Sequence, residues 1–172
     1  NFNKVQEYQN HLLLKGGIII DDEVLCGDNN ADGNDDTQFP GQFHTYKEVI
    51  DIIKNTTSKY PDYASLYFLG NTHHKRTLLG TKITDKNSTQ EKDILLILGT
   101  HHAREHLSTE IPLMAINYYL EQINLNPEFK ELLKKTEIYI FPLINPDGAL
   151  YDRQDNQFTA WRKNTRPLPN TS

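Results

Sequence analysis

The chain of 172 residues has little sulfur and no marked excess of positive charge. Its only cysteine, Cys26, excludes a disulfide within the chain. No apolar run approaches the roughly 20 residues needed to cross a bilayer, so we expect no membrane span. With a net charge of -5 and no dense basic patch, the composition argues against nucleic acid as a partner.

Histidine is missing from the later part of the chain. All seven histidines lie at or before position 106, at positions 11, 44, 73, 74, 101, 102 and 106. A metal site built on the later residues would therefore have no imidazole ligand from this chain. Any histidine-based site must use the earlier segment.

The most informative segment present is Gly99-Thr-His-His-Ala-Arg-Glu-His106, which follows the apolar run from Ile94 to Leu98. If a strand ends at the histidine and a helix begins beneath the glutamate, His102 and Glu105 converge on one cation. Hydrolytic zinc sites commonly use two histidines and one glutamate and leave one position open for water. The motif therefore predicts two of three zinc ligands.

The residues around these two ligands allow more than one interpretation. Arg104 carries a fixed fork of donors that can polarise a carbonyl or bind an anion. Taken alone, His-x-x-Glu is a weak pattern, and a solvated helix start is the competing interpretation. The preceding buried-looking strand favours a site, because open α/β sheets bind ligands at the carboxyl ends of their strands. His101 and His106 lack a glutamate three residues later, so we expect them to support the site or to lie on the surface.

Three motifs together carry a family resemblance: His102-Ala-Arg-Glu105, Ile144-Asn-Pro-Asp-Gly148 and Trp161-Arg-Lys163. In order and spacing they resemble the zinc carboxypeptidases of the carboxypeptidase A/B kind, over about residues 43–166. The resemblance implies an α/β fold with a mixed, mostly parallel central sheet sandwiched by helices. It also implies Zn²⁺ as cofactor and a peptide or protein as substrate.

The resemblance assigns a role to each matching residue. His102 and Glu105 match the first two zinc ligands, and Arg104 matches an arginine that lines the substrate groove. Arg162 matches the arginine that stabilises the oxyanion of the tetrahedral intermediate, a task that requires fixed positive charge. Asn145 to Gly148 are expected to form a turn after an inner strand, and Trp161 is expected to pack in the core.

Several parts of that family's site have no match in this chain. The third zinc ligand, an Asn-Arg pair that holds the terminal carboxylate, a tyrosine and the general-base glutamate would all lie further downstream. We therefore expect residues 41–172 to be the truncated N-terminal half of a catalytic domain, completed by a second polypeptide or a C-terminal half. The alternatives are a catalytically incomplete structural subunit and a peptide-binding surface with a weak two-ligand metal site.

Residues 1–40 differ in composition and are expected to be an extension. Within it, Asp28, Asn30 and Asp32 alternate as oxygen ligands do at the front of a calcium loop, with Gly33 at the sixth position. The twelfth position is Phe39 instead of glutamate, which lowers the expected Ca²⁺ affinity. The extension is alternatively a solvated acidic linker or the tail of a propeptide. A second loop, residues 85–93, is also rich in Asp, Asn and Glu and is a further calcium candidate.

Hydrophobic periodicity predicts an alternation of helices and strands. Helices are expected over residues 46–59, 105–123 and 127–135, and strands over residues 64–69, 76–83, 93–100 and 137–144. In the longest helix, we expect one apolar stripe to face the core: Leu107, Ile111, Met114, Ala115 and Tyr118.

Three acceptor triplets for N-glycosylation begin at Asn55, Asn87 and Asn170. Such triplets arise by chance in a chain rich in Asn and Thr. Together with the calcium-like loop and the resemblance, they favour an extracellular or secretory-vesicle location.

Overall fold

The computed structural model describes residues 43–154 and 157–168. This part contains four helices and four strands. In chain order they are α1 (Tyr46–Ser58), β1 (Ala64–Asn71), β2 (Thr77–Ile83), β3 (Asp93–Leu98), α2 (Leu107–Leu125), α3 (Pro127–Leu132), β4 (Thr136–Phe141) and α4 (Pro146–Asp152). Each predicted helix and strand is present, and its ends lie within three residues of the prediction.

The four strands form one mixed sheet in the order β1-β2-β4-β3. β1 and β4 each pair antiparallel with β2, whereas β3 pairs parallel with β4, from Asp93 opposite Thr136 to Leu98 opposite Phe141. The predicted mixed α/β class is confirmed. Parallel pairing accounts for one of the three pairings among the described strands, so the expected predominance of parallel pairs is not found in this part.

Helix α1 begins at a complete capping box. Thr45 Oγ1 accepts from the backbone N–H of Glu48, and the Glu48 carboxylate accepts from the backbone N–H of Thr45 at 2.8 Å. The N–H of Thr45 lowers the pKa of Glu48 below its ordinary value. The helix buries Val49 and Ile53 against the sheet.

The core lies between the sheet and the two long helices, which contact each other. Alternate residues of β2 and β4 face it, and their partners on the helices are spaced three or four residues apart. The central members are Ile53, Ile83, Ile116, Leu120 and Ile140, all of which are fully buried.

The opposite face of the sheet carries a polar and aromatic cluster. Lys82 pairs with Glu137 at 2.5 Å and lies over the ring of Tyr139. The ring of Tyr67 meets that of Tyr139 edge-on at 5.0 Å. Burial, together with the hydrogen bond from its hydroxyl to Glu137, raises the pKa of Tyr139. Both long helices therefore cover one face of the described sheet, and the other face keeps this cluster.

The predicted core stripe of α2 is wrong. Its members Leu107, Ile111, Met114 and Tyr118 are all more than half exposed, and only Ala115 packs against the core. The face that is buried consists of Thr109, Pro112, Leu113, Ile116, Leu120 and Ile123. The physical reason is that α2 is apolar on two faces, and periodicity cannot tell which of them meets the sheet.

Strand β3, which the apolar run from Ile94 to Leu98 led us to expect as a buried strand, is instead partly exposed. It lies at the edge of the described sheet, and Ile94, Leu95 and Leu96 are each more than 40% exposed.

No helix among the described residues is both long enough and apolar enough to span a bilayer.

Candidate metal and substrate site

The site begins where β3 ends, at a position that requires glycine. Gly99 donates to the carbonyl of Phe141 at 2.8 Å and accepts from the N–H of Ile144 at 3.2 Å. A Cβ at Gly99 would lie 2.2 Å from the carbonyl oxygen of Ser108 and 2.3 Å from that of Pro142. The absence of a side chain therefore lets the end of β3 approach both α2 and the segment after β4.

Thr100 then turns the chain out of the sheet. Its φ of 51° lies in the left-handed region, which is unfavourable for a β-branched residue. The residue is fully buried, its hydroxyl contacts that of Thr109 at 2.5 Å, and its N–H donates to Ser108 Oγ at 2.9 Å. These contacts with the first turn of α2 hold the unfavourable backbone conformation in place.

The turn brings His102 and Glu105 together. His102 Nδ1 lies 2.7 Å from Glu105 Oε1, and the two side chains are 37% and 49% exposed. In tetrahedral zinc sites, ligand atoms about 2.0–2.2 Å from the metal lie roughly 3.4 Å from each other. The pair therefore fits zinc after a small outward rotation, which solvent-facing side chains can make. Both donor types are ones that zinc accepts.

The other two predicted motifs lie directly against the first. The N–H of Ala103 donates to the carbonyl of Arg162 at 3.1 Å. Asn145 Nδ2 donates to the carbonyls of His101 and Lys163, at 3.2 and 3.3 Å. One amide thus joins the histidine loop to the arginine segment, so the three motifs recognised in the sequence meet in one place.

The two arginines of the predicted site are both exposed. Arg104 reaches the carbonyl of Ala160 with a long contact of 3.4 Å, on the segment that leads to Arg162. The backbone carbonyl of Arg162 accepts from the N–H of Ala103 in the histidine loop. The side chain of Arg162 is exposed to solvent. Arg104 therefore lies on the loop that carries the His102–Glu105 pair, and Arg162 lies on the segment bonded to that loop.

The expected turn at Asn145 to Gly148 is instead the start of a helix. Asn145 caps α4 by accepting from the N–H of Gly148 at 3.1 Å, and Pro146 occupies the first helical position. A Cβ at Gly148 would lie 2.4 Å from the carbonyl of Lys163. The Asn-Pro pair is a helix-start signal that could have revealed the cap, whereas its bridging contacts could not be read from the sequence.

A buried His–Asp pair next to the site was also not foreseen. His106 Nε2 lies 2.8 Å from Asp152 Oδ2, and the two side chains are 4% and 1% exposed. The interpretation of His106 as a supporting residue agrees with this position. Asp152 showed no sequence signal, because a single aspartate near the end of a short helix is usually a surface residue.

The structure describes only one of the two calcium candidates. Asp28, Asn30 and Asp32 lie outside the described residues. In the loop of residues 85–93, the ammonium of Lys92 donates to the carbonyl of Asp85 at 2.5 Å. No group of three His, Cys, Asp or Glu side chains suited to a metal is found within residues 43–154 and 157–168.

Comparisons with known proteins give the family. A family model described as zinc carboxypeptidase matches residues 49–171. The zinc carboxypeptidase of Saccharothrix mutabilis subsp. capreolus is 33% identical over 126 residues, covering 73% of this chain and 29% of its own length. Metallocarboxypeptidase A of Arthroderma otae is 26% identical over 153 residues, covering 89% of this chain and 36% of its own length.

A solved structure agrees with these relatives. Bovine thrombin-activatable fibrinolysis inhibitor, in complex with tick carboxypeptidase inhibitor, superposes with a TM-score of 0.61 at 28% identity. The match covers 76% of this chain and 40% of that chain. The chain belongs to the zinc carboxypeptidase family. It spans about a third of the length of the curated relatives it matches.

Proposed function

We propose that this chain is part of a zinc-dependent metallocarboxypeptidase, which removes C-terminal residues from peptides or proteins by hydrolysis. The observation that carries the proposal is the 2.7 Å approach of His102 Nδ1 to Glu105 Oε1 in the loop that follows β3. Membership of the zinc carboxypeptidase family supports it. The metal would be held by these two side chains and by a third ligand from outside the chain.

Zinc in such a site polarises a carbonyl and acidifies bound water. Arg162 would bind the carbonyl oxygen of the scissile bond as it gains negative charge, because its guanidinium is always positive. Arg104 would bind the substrate beside it, as a donor to carbonyl or carboxylate groups. The backbone contact between Ala103 and Arg162 supports this division, since it keeps the two loops next to each other.

The third zinc ligand and the general base are proposed to come from a second polypeptide or a C-terminal half. No histidine follows His106 in the chain, and a hydrolytic site needs a third protein ligand. The exposed apolar side chains of α2 and β3 support the same view, because monomeric proteins rarely leave such a surface open.

We place the protein outside the cell or in a secretory vesicle. Asn87 is exposed in a loop, where a glycan can be accommodated. Asn55 is exposed on α1, but Thr57 of its triplet is buried and contacts Thr81. We therefore expect Asn87, of these two, to be the glycosylated position.

A comparison of two substrates tests the activity. The natively purified protein, with every polypeptide it contains, is assayed for zinc and for hydrolysis of an N-acylated dipeptide. The matched substrate is the same dipeptide with its C-terminal carboxylate amidated. We expect about one zinc per site and cleavage of the free carboxylate form only. Absence of both zinc and cleavage would favour the structural or peptide-binding alternative.

Substitution of Arg162 tests the assigned role. Arg162→Ala should lower kcat by about a hundredfold or more, because one oxyanion donor contributes that much. Arg166→Ala is the matched control, since it removes an exposed arginine four residues away. Equal rates for the two variants would contradict the role of Arg162.

A further inference from the structure

The buried pair of His106 and Asp152 has no part in the proposed chemistry. Its side chains are almost fully shielded from water. A carboxylate in such a position is costly unless each of its oxygens is paired. The hydrogen-bond partners of the two Asp152 carboxylate oxygens therefore indicate the role of the pair.

Asp152 holds the segment that precedes Arg162. Its Oδ1 accepts from the backbone N–H of Trp161 at 2.5 Å and from Thr159 Oγ1 at 3.2 Å. Its carbonyl accepts from the N–H of Thr159 at 2.9 Å. The last residue of α4 therefore fixes the backbone one residue before Arg162.

His106 carries the other end of this connection. It directly follows Glu105, and its ring lies against Phe43 and Phe158 at 5.6 and 5.1 Å. The guanidinium of Arg153 faces Nδ1 at 3.2–3.3 Å. A guanidinium has only donors, so Nδ1 is the acceptor and Nε2–H donates to Asp152.

We propose that Asp152 and His106 are a positioning pair, which holds the Arg162 segment at a fixed place relative to the His102–Glu105 loop. A chain of contacts runs from Glu105 through the adjacent His106 to Asp152, and from there to the N–H of Trp161. The pair is buried, so its proposed role is to position other residues and not to bind substrate or metal. The inference rests on the proposed function, because it assigns a task to Arg162 within that site.

Asp152→Asn tests the pair in the complete, zinc-loaded protein. Asparagine can keep one acceptor, but its NH₂ then faces the Nε2–H of His106. We expect kcat to fall by between about ten- and hundredfold, as small misplacements of a binding group do. KM should change by less than about threefold and the zinc content should stay the same. In an Arg162→Ala background, Asp152→Asn should cause little further loss, because the two residues act as one unit.

Hydrogen exchange gives a readout that does not depend on activity. The amide of Trp161 should exchange at least about tenfold faster in Asp152→Asn, while the amides of β4 keep their rates. Asp147→Asn is the matched control: it is a second buried carboxylate of α4, paired with Arg76 at 2.7 Å instead. We expect this control to leave the Trp161 exchange rate unchanged.

His106→Gln should rescue much of the function that His106→Leu loses. A glutamine amide can donate to Asp152 and accept from Arg153, whereas leucine leaves a buried carboxylate unpaired. If Asp152→Asn does not fold, Thr159→Val replaces it in the exchange experiment. Thr159 is exposed, and its substitution by valine removes only one hydrogen bond to Asp152. It should speed Trp161 exchange to a smaller extent.

The outcomes separate this inference from the proposed function. An active wild-type protein whose Asp152→Asn variant keeps its kcat, or shows losses that add to those of Arg162→Ala, would overturn the positioning role alone. Unchanged exchange at Trp161 would do the same. An inactive, zinc-free wild-type protein would instead overturn the proposed function, whatever the exchange rates.

Discussion

The backbone N–H of Ala103 donates to the carbonyl of Arg162 at 3.1 Å. The two residues belong to motifs far apart in the sequence, and the bond joins them without using either side chain. The guanidinium of Arg162 and the side chains of His102 and Glu105 are thereby left to meet other groups. The scaffold of the site is thus backbone and amide contacts, and its exposed side chains carry the proposed chemistry.

The first prediction concerns the metal. His102→Gln should weaken zinc binding by more than a hundredfold, since it removes a ligand and even supporting residues contribute ten- to hundredfold. His101→Gln is the control, because His101 is an exposed neighbour. Competition with a chromophoric chelator measures both affinities. Unchanged affinity in the His102 variant would mean that another histidine binds the metal.

The second prediction concerns the glycine at the end of β3. Gly99→Ala would place a Cβ against two backbone carbonyls, which no side-chain rotation can relieve. We expect a loss of about 3 kcal/mol in the free energy of unfolding, at the upper end for overpacking. We also expect weaker zinc binding, because the loop that carries His102 must shift.

Gly70→Ala is the comparison for this prediction. Nothing lies within 4 Å of a Cβ at Gly70, although its φ of 131° makes any side chain strained. Urea unfolding should therefore show a cost for this variant too, but its zinc affinity should match that of the wild type. Equal zinc affinities in both alanine variants would show that the Gly99 contact does not position the ligands.

Much of this architecture could be predicted from the sequence. Runs such as Ile138 to Leu143 and the periodic residues of α1 indicate their elements because local hydrophobic spacing reflects burial. The meeting of His102 with Glu105 was also predicted, although a turn closed by the bond from the N–H of Glu105 to the carbonyl of His102 produces it, and not a strand end and a helix start. These successes all depend on neighbours in the sequence.

The failures involve contacts between distant parts of the chain. Periodicity identified apolar residues such as Met114 and Tyr118 but not the face of α2 that meets the sheet, since both faces are apolar. Asp152 and Asn145 gave no sign of their bridging roles, because those depend on how α4 packs beside the histidine loop. Tertiary packing decided these features, and no local pattern encodes it.

The third prediction is a pH dependence at the start of α1. The N–H of Thr45 lowers the pKa of Glu48 below its ordinary value of 4.5. A carboxylate with a lowered pKa stabilises the fold above its ordinary pKa, and this contribution is lost as the pH falls through the folded-state pKa. Glu48→Gln should therefore be less stable than wild type at neutral pH, and the difference should shrink towards pH 3.

Urea midpoints at several pH values measure this difference. Glu121→Gln, at an exposed position of α2, controls for the loss of one negative charge. A stability difference between Glu48→Gln and wild type that stays constant from pH 7 to pH 3 would contradict the capping role of the carboxylate.

The fourth prediction concerns the exposed apolar face of α2. Met114 and Tyr118 are 65% and 58% exposed and lie four residues apart, so they form one surface. Exposed patches of this kind cause association when no partner covers them. We expect the chain, produced on its own, to self-associate at micromolar concentration.

The double variant Met114→Lys/Tyr118→Lys should be largely monomeric under the same conditions, since two ammonium groups interrupt the patch and repel each other. Glu121→Lys on the same helix changes the net charge equally and leaves the patch intact, so it should still associate. Sedimentation velocity distinguishes the three proteins.

The same double variant should also fail to bind the polypeptide that completes the site, because that surface would then be charged. Normal assembly of the variant with its partner would place the interface elsewhere, with the exposed edge of β3 as the next surface to test.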